Sequence, residues 1–212
     1  MELYVLRHGT TKWNEKHLLQ GRSDIPLDEG GIRLAQIVGE KLKDVSFDIC
    51  YSSPLARALQ TAQLVLGGRS VSIVEDPRLM EMSFGEAEGR DVSASSTAVP
   101  KELLYALSGH MENYPVPEGG ESVRQVYIRT ARFIQDLLEN PDNNEKRILI
   151  STHGAAGRAL MHHFWGGDFW HGNVPPNCSF CIVTIDHCKV TSIEKDIVLY
   201  DPSLVTNLFG GK

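Results

Sequence analysis

Five side chains of this 212-residue sequence are of types that handle a phosphoryl group, and each follows an apolar run: Arg7 and His8 before Gly9, then Arg57, Glu81, and His153 before Gly154. A phosphoryl group carries about two negative charges near neutral pH. A planar guanidinium binds its oxygens through paired hydrogen bonds, so Arg7 and Arg57 are candidates for a two-sided clamp. A neutral imidazole, with a reference pKa of about 6.5, is a nucleophile at neutral pH. Either His8 or His153 can attack, with the other stabilising the oxygens of the transferring group. Glu81 can protonate the leaving oxygen and later deprotonate the attacking water. Gly9 and Gly154 would let backbone approach the ligand with no Cβ in the way.

Side chains so far apart in the chain meet only if the elements before them end at one place. In an open α/β sheet, ligands sit outside the carboxyl ends of the strands. Strand-like and helix-like stretches alternate without a repeat, linker or low-complexity tract, which predicts one α/β unit with a mainly parallel sheet and a single domain over 1–212. Strands are predicted at 3–6, 47–52, 71–74 and 148–151, with closing strands at 178–185 and 190–199. Asp28 is placed to cap a helix striped by Leu34, Ile37, Val38, Leu42 and Val45. Ser53 and Pro54 read as N-cap and first residue of the next helix. Arg57 then falls in a first turn, where free N–H groups and the helix dipole favour an anion. Further helices are predicted at 102–113, from Ser122 to the stop at Asn140-Pro141, and at 156–164.

Composition narrows the classes. The sequence is 42% hydrophobic and 23% charged, the ordinary globular range, with a formal charge of −6. An acidic balance with no basic run argues against nucleic-acid binding, which needs Lys and Arg to displace counterions. The start has no basic segment leading into an apolar one, and no stretch of about 18 apolar residues occurs, so a soluble, cytoplasmic protein without membrane partners is expected. Cys178 and Cys181 form a C-x-x-C, but within a strand residues three apart face opposite sides, so neither zinc nor a disulfide is expected. The predicted pocket sets Arg7, Arg57 and two imidazoles against the single carboxylate of Glu81. The acidic excess then belongs to the rest of the surface.

Longer motifs carry a resemblance. Leu6-Arg7-His8-Gly9-Thr10-Thr11-Lys12-Trp13-Asn14, then Gln20-Gly21-Arg22-Ser23-Asp24-Ile25-Pro26-Leu27, resembles the signature of the histidine phosphatase superfamily, in its phosphoglycerate mutase-like branch. The likeness continues through Ser52-Ser53-Pro54-Leu55-Ala56-Arg57-Ala58, Glu81 before Phe84-Gly85, Gly120-Glu121-Ser122 and Thr152-His153-Gly154. It leaves about 90–117 and the tail after 200 unmatched. The resemblance implies a three-layer α/β/α sandwich. It also implies that His8 becomes phosphohistidine, that Arg7, Arg57 and His153 complete the phosphate pocket, and that Glu81 is the proton donor. Asn14, Gln20, Gly21 and Gly154 would line the pocket or hold substrate. It implies no metal and no cofactor, because Arg and His cations neutralise the phosphate instead.

The expected partner is a small phosphorylated metabolite, and the chain is expected to act alone or as a homodimer. The 90–117 insertion is expected to cover the pocket mouth, with His110 and Met111 either near substrate or on a solvated face. Mutases of this branch usually carry a Tyr-Gly-x-Leu-x-Gly-Leu-Asn-Lys-like segment after the acidic residue. This chain has Phe84-Gly85-Glu86-Ala87-Glu88-Gly89, which resembles the Phe-Gly-x-Trp-Glu-Gly run of broad phosphatases and α-ribazole phosphatases, with Ala87 where Trp is usual. Hydrolysis is therefore the reading, with phosphoglycerate mutase and an inactive phosphate-ester sensor as alternatives. A dinucleotide-binding fold is excluded because Arg7-His8-Gly9, not G-x-G-x-x-G, follows the first strand. His162-His163 and Trp165 are expected to serve packing or surface roles, as are Phe169, Trp170 and His171. Asp24 and Glu121 are expected to fix loops.

Overall fold

The computed structural model describes residues 1–166 and 174–204. Phe169, Trp170 and His171 lie outside the described residues. A six-stranded sheet has the order β3-β2-β4-β1-β5-β6, formed by β1 (Glu2–Arg7), β2 (Ile49–Ser52), β3 (Ile73–Glu75), β4 (Arg147–Thr152), β5 (Phe180–Asp186) and β6 (Lys189–Ile197). The first four strands of that order run parallel, and β5 and β6 continue antiparallel beside β1. The sheet is thus mixed, with a parallel majority.

Alternation along β1 explains the layers. Leu3 and Val5 face one side with Ile148 and Ile150 of β4, and pack on Phe133, Ile134 and Leu137 of α5 (Val123–Glu139) and Leu160 of α6 (Gly154–Trp165). Tyr4 and Leu6 face the other, where they meet α2 (Glu29–Lys41) through Leu34 and Val38, and α3 (Ala56–Leu66) through Ala62 and Val65. With one strand face buried under each helix pair, the three-layer α/β/α arrangement follows from period-2 alternation against period-3.6 stripes. Two short helices, α1 (Lys12–Glu15) and α4 (Lys101–Leu107), sit outside these layers. A third apolar cluster joins the 92–111 segment to Leu19, Met82 and Phe84. No helix among the described residues is long and apolar enough to cross a membrane.

Several boundaries differ from the sequence reading for identifiable reasons. Ser53 and Pro54 precede α3, whose N-cap is Leu55 with no side-chain cap of its own. The first N–H of that helix, on Ala56, is taken instead by Asp24 Oδ1 at 2.7 Å, a residue 32 positions away. The predicted helix at 102–113 ends at Leu107 because Gly109 adopts a φ of 114°, and a 3-10 turn follows at Met111–Asn113. Cys178 lies before β5 in a turn with φ 57° rather than inside the strand. Its thiol still belongs to one core layer and that of Cys181 to the other, and both are free.

Register sets the site. Arg7 pairs with Thr152 across β1 and β4, and Ser52 pairs with Ser151 across β2 and β4. The ladder runs on into the loops, with His8 N–H donating to Thr152 O at 3.0 Å and Ser53 N–H to Ser151 O at 2.9 Å. Three chain segments therefore end side by side. The loop after β1 is also pressed onto α2, where a Cβ on Gly31 would stand 2.2 Å from Thr10 O and 2.7 Å from Thr10 N. Both neighbours are backbone, so a methyl there cannot be absorbed by a rotamer change. Overpacking of this kind costs about 1–3 kcal/mol. For Gly31→Ala the expected outcome is a Tm lower by about 2–10 °C, measured by thermal unfolding; an unchanged Tm would show that the loop yields freely.

Candidate active site

His8 follows β1 and is 4% exposed. Its Nδ1 lies 2.6 Å from Gly9 O. A carbonyl can only accept, so Nδ1 carries the proton and, in the neutral ring, Nε2 carries the lone pair. The pKa of His8 lies well below the ordinary imidazole value, first because of burial and then because of the Arg57 and Arg7 cations. Fixed tautomer and suppressed protonation together leave Nε2 with a free lone pair.

His153 follows β4, 2% exposed, with its ring centroid 5.1 Å from that of His8. Its Nε2 lies 2.7 Å from Ser53 Oγ. When that hydroxyl donates to Nε2, Nδ1 becomes the protonated nitrogen. Burial, followed by Arg57, keeps the free His153 ring neutral too.

Arg57, the second residue of α3, is 0% exposed. Among the described residues no carboxylate bonds it. Its terminal nitrogens donate to Gly21 O at 2.7 Å and Ser23 O at 2.9 Å. Arg7, half-buried, donates through Nη1 to Pro175 O. Burial lowers both guanidinium groups to about 10, so both remain cationic at neutral pH, helped by Glu81 nearby. Arg7 Nε, Arg57 Nε and His153 Nδ1 are all buried with no hydrogen-bond partner among the described residues. A buried N–H without a partner is costly, so these three, in side chains whose charges act on His8 or whose ring lies beside it, are available to an anion.

Glu81 is 6% exposed and sits at the amino end of α6. Its Oε1 accepts from Met82 N–H at 2.8 Å and Ala156 N–H at 2.9 Å, and its Oε2 from Ala155 N–H at 3.1 Å. The helix N-terminus nearest the pocket thus holds a carboxylate of the protein itself. At α3, whose dipole was expected to face the anion, the first N–H serves Asp24 instead.

Arg7, His8, Asn14, Gln20, Glu81 and Gly154 line a pocket of about 90 Å³, while Arg57 and His153 stand behind its wall. Asn14 Oδ1 and Gln20 Oε1 both accept from Thr11, at 3.0 Å from its N–H and 2.8 Å from its hydroxyl respectively. Gly21 does not reach the pocket; it faces Glu88, and a Cβ there would stand 2.1 Å from Glu88 Oε1. Its contribution is the carbonyl that grips Arg57. His162 and His163 are not among the lining residues; they pack on Tyr127 of α5, and His163 Nε2 lies 3.0 Å from Thr130 Oγ1. Trp165 receives Lys195, with Nζ 4.1 Å from the ring centroid. Glu121 accepts from Arg129 of α5 at 2.8 and 3.0 Å. No group of His, Cys, Asp or Glu among the described residues is placed to hold a metal ion.

Glu88 was missed as a site residue, although the Phe84-Gly85-Glu86-Ala87-Glu88-Gly89 run contained it. Its carboxylate accepts from Arg22 N–H (3.0 Å), Phe84 N–H (3.0 Å), Ser23 N–H (2.8 Å) and Ser23 Oγ–H (2.6 Å). Burial works against its charge, but those bonds from Ser23, Arg22 and Phe84 hold its pKa below the usual carboxylate range. Glu88 fastens the loop whose carbonyls hold Arg57. Thr61 was missed as well: its Oγ1 accepts from Gly9 N–H at 3.0 Å and donates to Arg57 O at 2.6 Å, tying the His8 loop to α3.

The fold and the site define an α/β protein whose adjacent strand ends present two buried guanidinium groups and two neutral imidazoles, a setting for a phosphoryl anion. The chain belongs to the histidine phosphatase superfamily (branch 1), which it matches over residues 3–195. It is 32% identical over 163 residues to a 2,3-bisphosphoglycerate-dependent phosphoglycerate mutase of Cytophaga hutchinsonii, covering 76% of each chain. Among solved structures, Bacillus stearothermophilus YhfR superposes with a TM-score of 0.80 at 30% identity, over 93% of this chain and 98% of that one. The α-ribazole phosphatase of Shigella flexneri gives 0.76 at 30% identity, over 90% and 94%. The relatives thus include both phosphatases and mutases.

Two outcomes test the site. Arg57 lowers the His8 pKa, so Arg57→Gln should raise it and protonate the nucleophile at higher pH. NMR titration of the imidazole would read this, and an unmoved or lowered titration would contradict it. Glu88→Ala should weaken inorganic phosphate binding about tenfold, and the same change in an Arg57→Ala background should do little more; additive losses would show that Glu88 acts elsewhere.

Proposed function

We propose that this protein hydrolyses phosphomonoesters of small metabolites through a phosphohistidine on His8. The observation that carries the reading is the Nδ1–H bond from His8 to Gly9 O at 2.6 Å in a ring kept neutral, which leaves Nε2 free to attack. In the first step the Nε2 lone pair forms a bond to phosphorus, the ester P–O bond breaks, and Glu81 gives its proton to the leaving oxygen. Arg7, Arg57 and His153 hold the oxygens on which charge gathers. In the second step water attacks phosphorus, Glu81 takes its proton, and the P–N bond breaks to release inorganic phosphate. No metal is required in this scheme, because the guanidinium groups supply the positive charge.

Hydrolysis is favoured over mutase action by the segment after Glu81. Glu88 occupies the place of the acidic residue in the phosphatase-type run and is built into the site as the fastener of the Arg57 loop. Some relatives are named phosphatases in their own right, including the Shigella α-ribazole phosphatase. The expected result is steady release of inorganic phosphate that survives EDTA, with acid-labile phosphoenzyme trapped on His8. His8→Ala should lower turnover by about 10³-fold or more with an unchanged circular-dichroism spectrum. Near-normal hydrolysis by that variant, or conversion of 3-phosphoglycerate to its 2-isomer without phosphate release, would overturn the reading.

A further inference from the structure

We infer that Asn177, itself held by Tyr200, is a positioning residue for His8: its side-chain amide fixes the Gly9 carbonyl that decides which imidazole nitrogen carries the proton. This role rests on the hydrolase reading above, in which His8 Nε2 attacks phosphorus. The Gly9 carbonyl accepts twice, from His8 Nδ1 at 2.6 Å and from Asn177 Nδ2 at 3.2 Å. A carbonyl oxygen has two lone pairs, so both are in use. The other hydrogen of the amide goes to His8 O at 3.0 Å. Turned over, the amide would set Oδ1 against two carbonyl oxygens, and acceptors do not bond acceptors, so the chemistry fixes its orientation. Asn177 is only 2% exposed, and a bond lost here is not readily replaced by bulk water.

Gly9 needs an outside hold because, as a glycine, it turns about its own backbone with little steric hindrance. Thr61 Oγ1 takes its N–H at 3.0 Å and so fixes the peptide plane before it. The plane after it carries the carbonyl, and Asn177 reaches that one. The segment bearing Asn177 is bound to the same strand end: Arg7 N–H donates to Ser179 O at 3.0 Å, Cys178 N–H donates to Arg7 O at 3.1 Å, and the Arg7 guanidinium donates to Pro175 O. Within it Cys178 holds a φ of 57°, a left-handed conformation that a non-glycine residue keeps when its surroundings impose it. Tyr200, after β6 and 7% exposed, contributes to that hold by donating its hydroxyl to Asn177 O. Burial lifts the phenol to about 12, so at neutral pH it keeps its proton and stays a donor. Neither Asn177 nor Tyr200 lines the pocket, so their effect on turnover passes through the residues they hold.

The test reads the ring nitrogens of His8 by heteronuclear NMR in the resting full chain, beside kcat and KM for an aryl phosphate and the affinity for inorganic phosphate. In the unaltered protein His8 is expected in the Nδ1–H form. Asn177→Ala should populate both tautomers, shift the two ring-nitrogen signals toward each other, and lower kcat about tenfold or more, with KM and phosphate affinity changed less than about threefold. Tyr200→Phe, which keeps the ring in its apolar cluster and removes only the hydroxyl, should move the same signals the same way by less; it serves if Asn177→Ala does not fold. Unmoved signals in every variant that folds would overturn the role whatever kcat does, because a merely structural loss lowers activity without changing the tautomer. Moved signals with kcat unchanged would overturn it too. Moved signals in a chain whose unaltered form releases no phosphate from any ester would support control of the tautomer and overturn the hydrolase reading instead.

Discussion

A guanidinium buried to 0% exposure, with no carboxylate bonded to it among the described residues, is the constraint around which the site is organised. Removing such a cation from water is costly unless its N–H groups are satisfied and a counter-charge is available. Arg57 meets the first condition with two carbonyls, Gly21 O and Ser23 O, and these must be aimed by something else. Glu88 aims them, taking four hydrogen bonds from Arg22, Ser23 and Phe84, and the lack of a Cβ at Gly21 lets its carboxylate come close. The second condition is met in part by Glu81, Asp24 and Glu88, whose charges act on Arg57 through space. Among the described residues Arg57 Nε, Arg7 Nε and His153 Nδ1 have no hydrogen-bond partner, a deficit that an anion can fill.

That deficit also governs protonation. Two cations beside His8 act with burial to keep its ring neutral, so the same charges that would hold a phosphoryl group keep its Nε2 free of a proton. Once an anion offsets those cations, the penalty on a charged imidazole falls, and His153 can then contribute positive charge to the oxygens. Binding and activation are thereby coupled through Coulomb terms in one low-dielectric space.

Sheet register converts this chemistry into geometry. The order β2-β4-β1 brings Ser53, His153 and His8 to neighbouring strand ends, though they are separated by 100 residues on one side and 145 on the other. Backbone bonds that continue past the strands, from His8 N–H to Thr152 O and from Ser53 N–H to Ser151 O, hold the loops to the same spacing as the sheet. Thr61 closes the arrangement from α3 by bonding Gly9 N–H and Arg57 O.

The sequence by itself determined the alternating elements, the two faces of β1 and the identity of the groups at the strand ends, because periodicity and residue type are local properties of the chain. Asp28 as a cap and the start of α5 at Ser122 were legible for that reason. The cap of α3 was not, since its first N–H is taken by Asp24 across 32 residues, while Ser53 Oγ takes the N–H of Leu55 just before the helix and also meets His153. Nor was the role of Gly21, nor that of Glu88. Each depends on which distant segments the tertiary structure presses together, and no window of sequence contains that information. Two histidines were equivalent as residue types; only the carbonyl of Gly9 facing Nδ1 of one, and the hydroxyl of Ser53 facing Nε2 of the other, gave them different nitrogens to present.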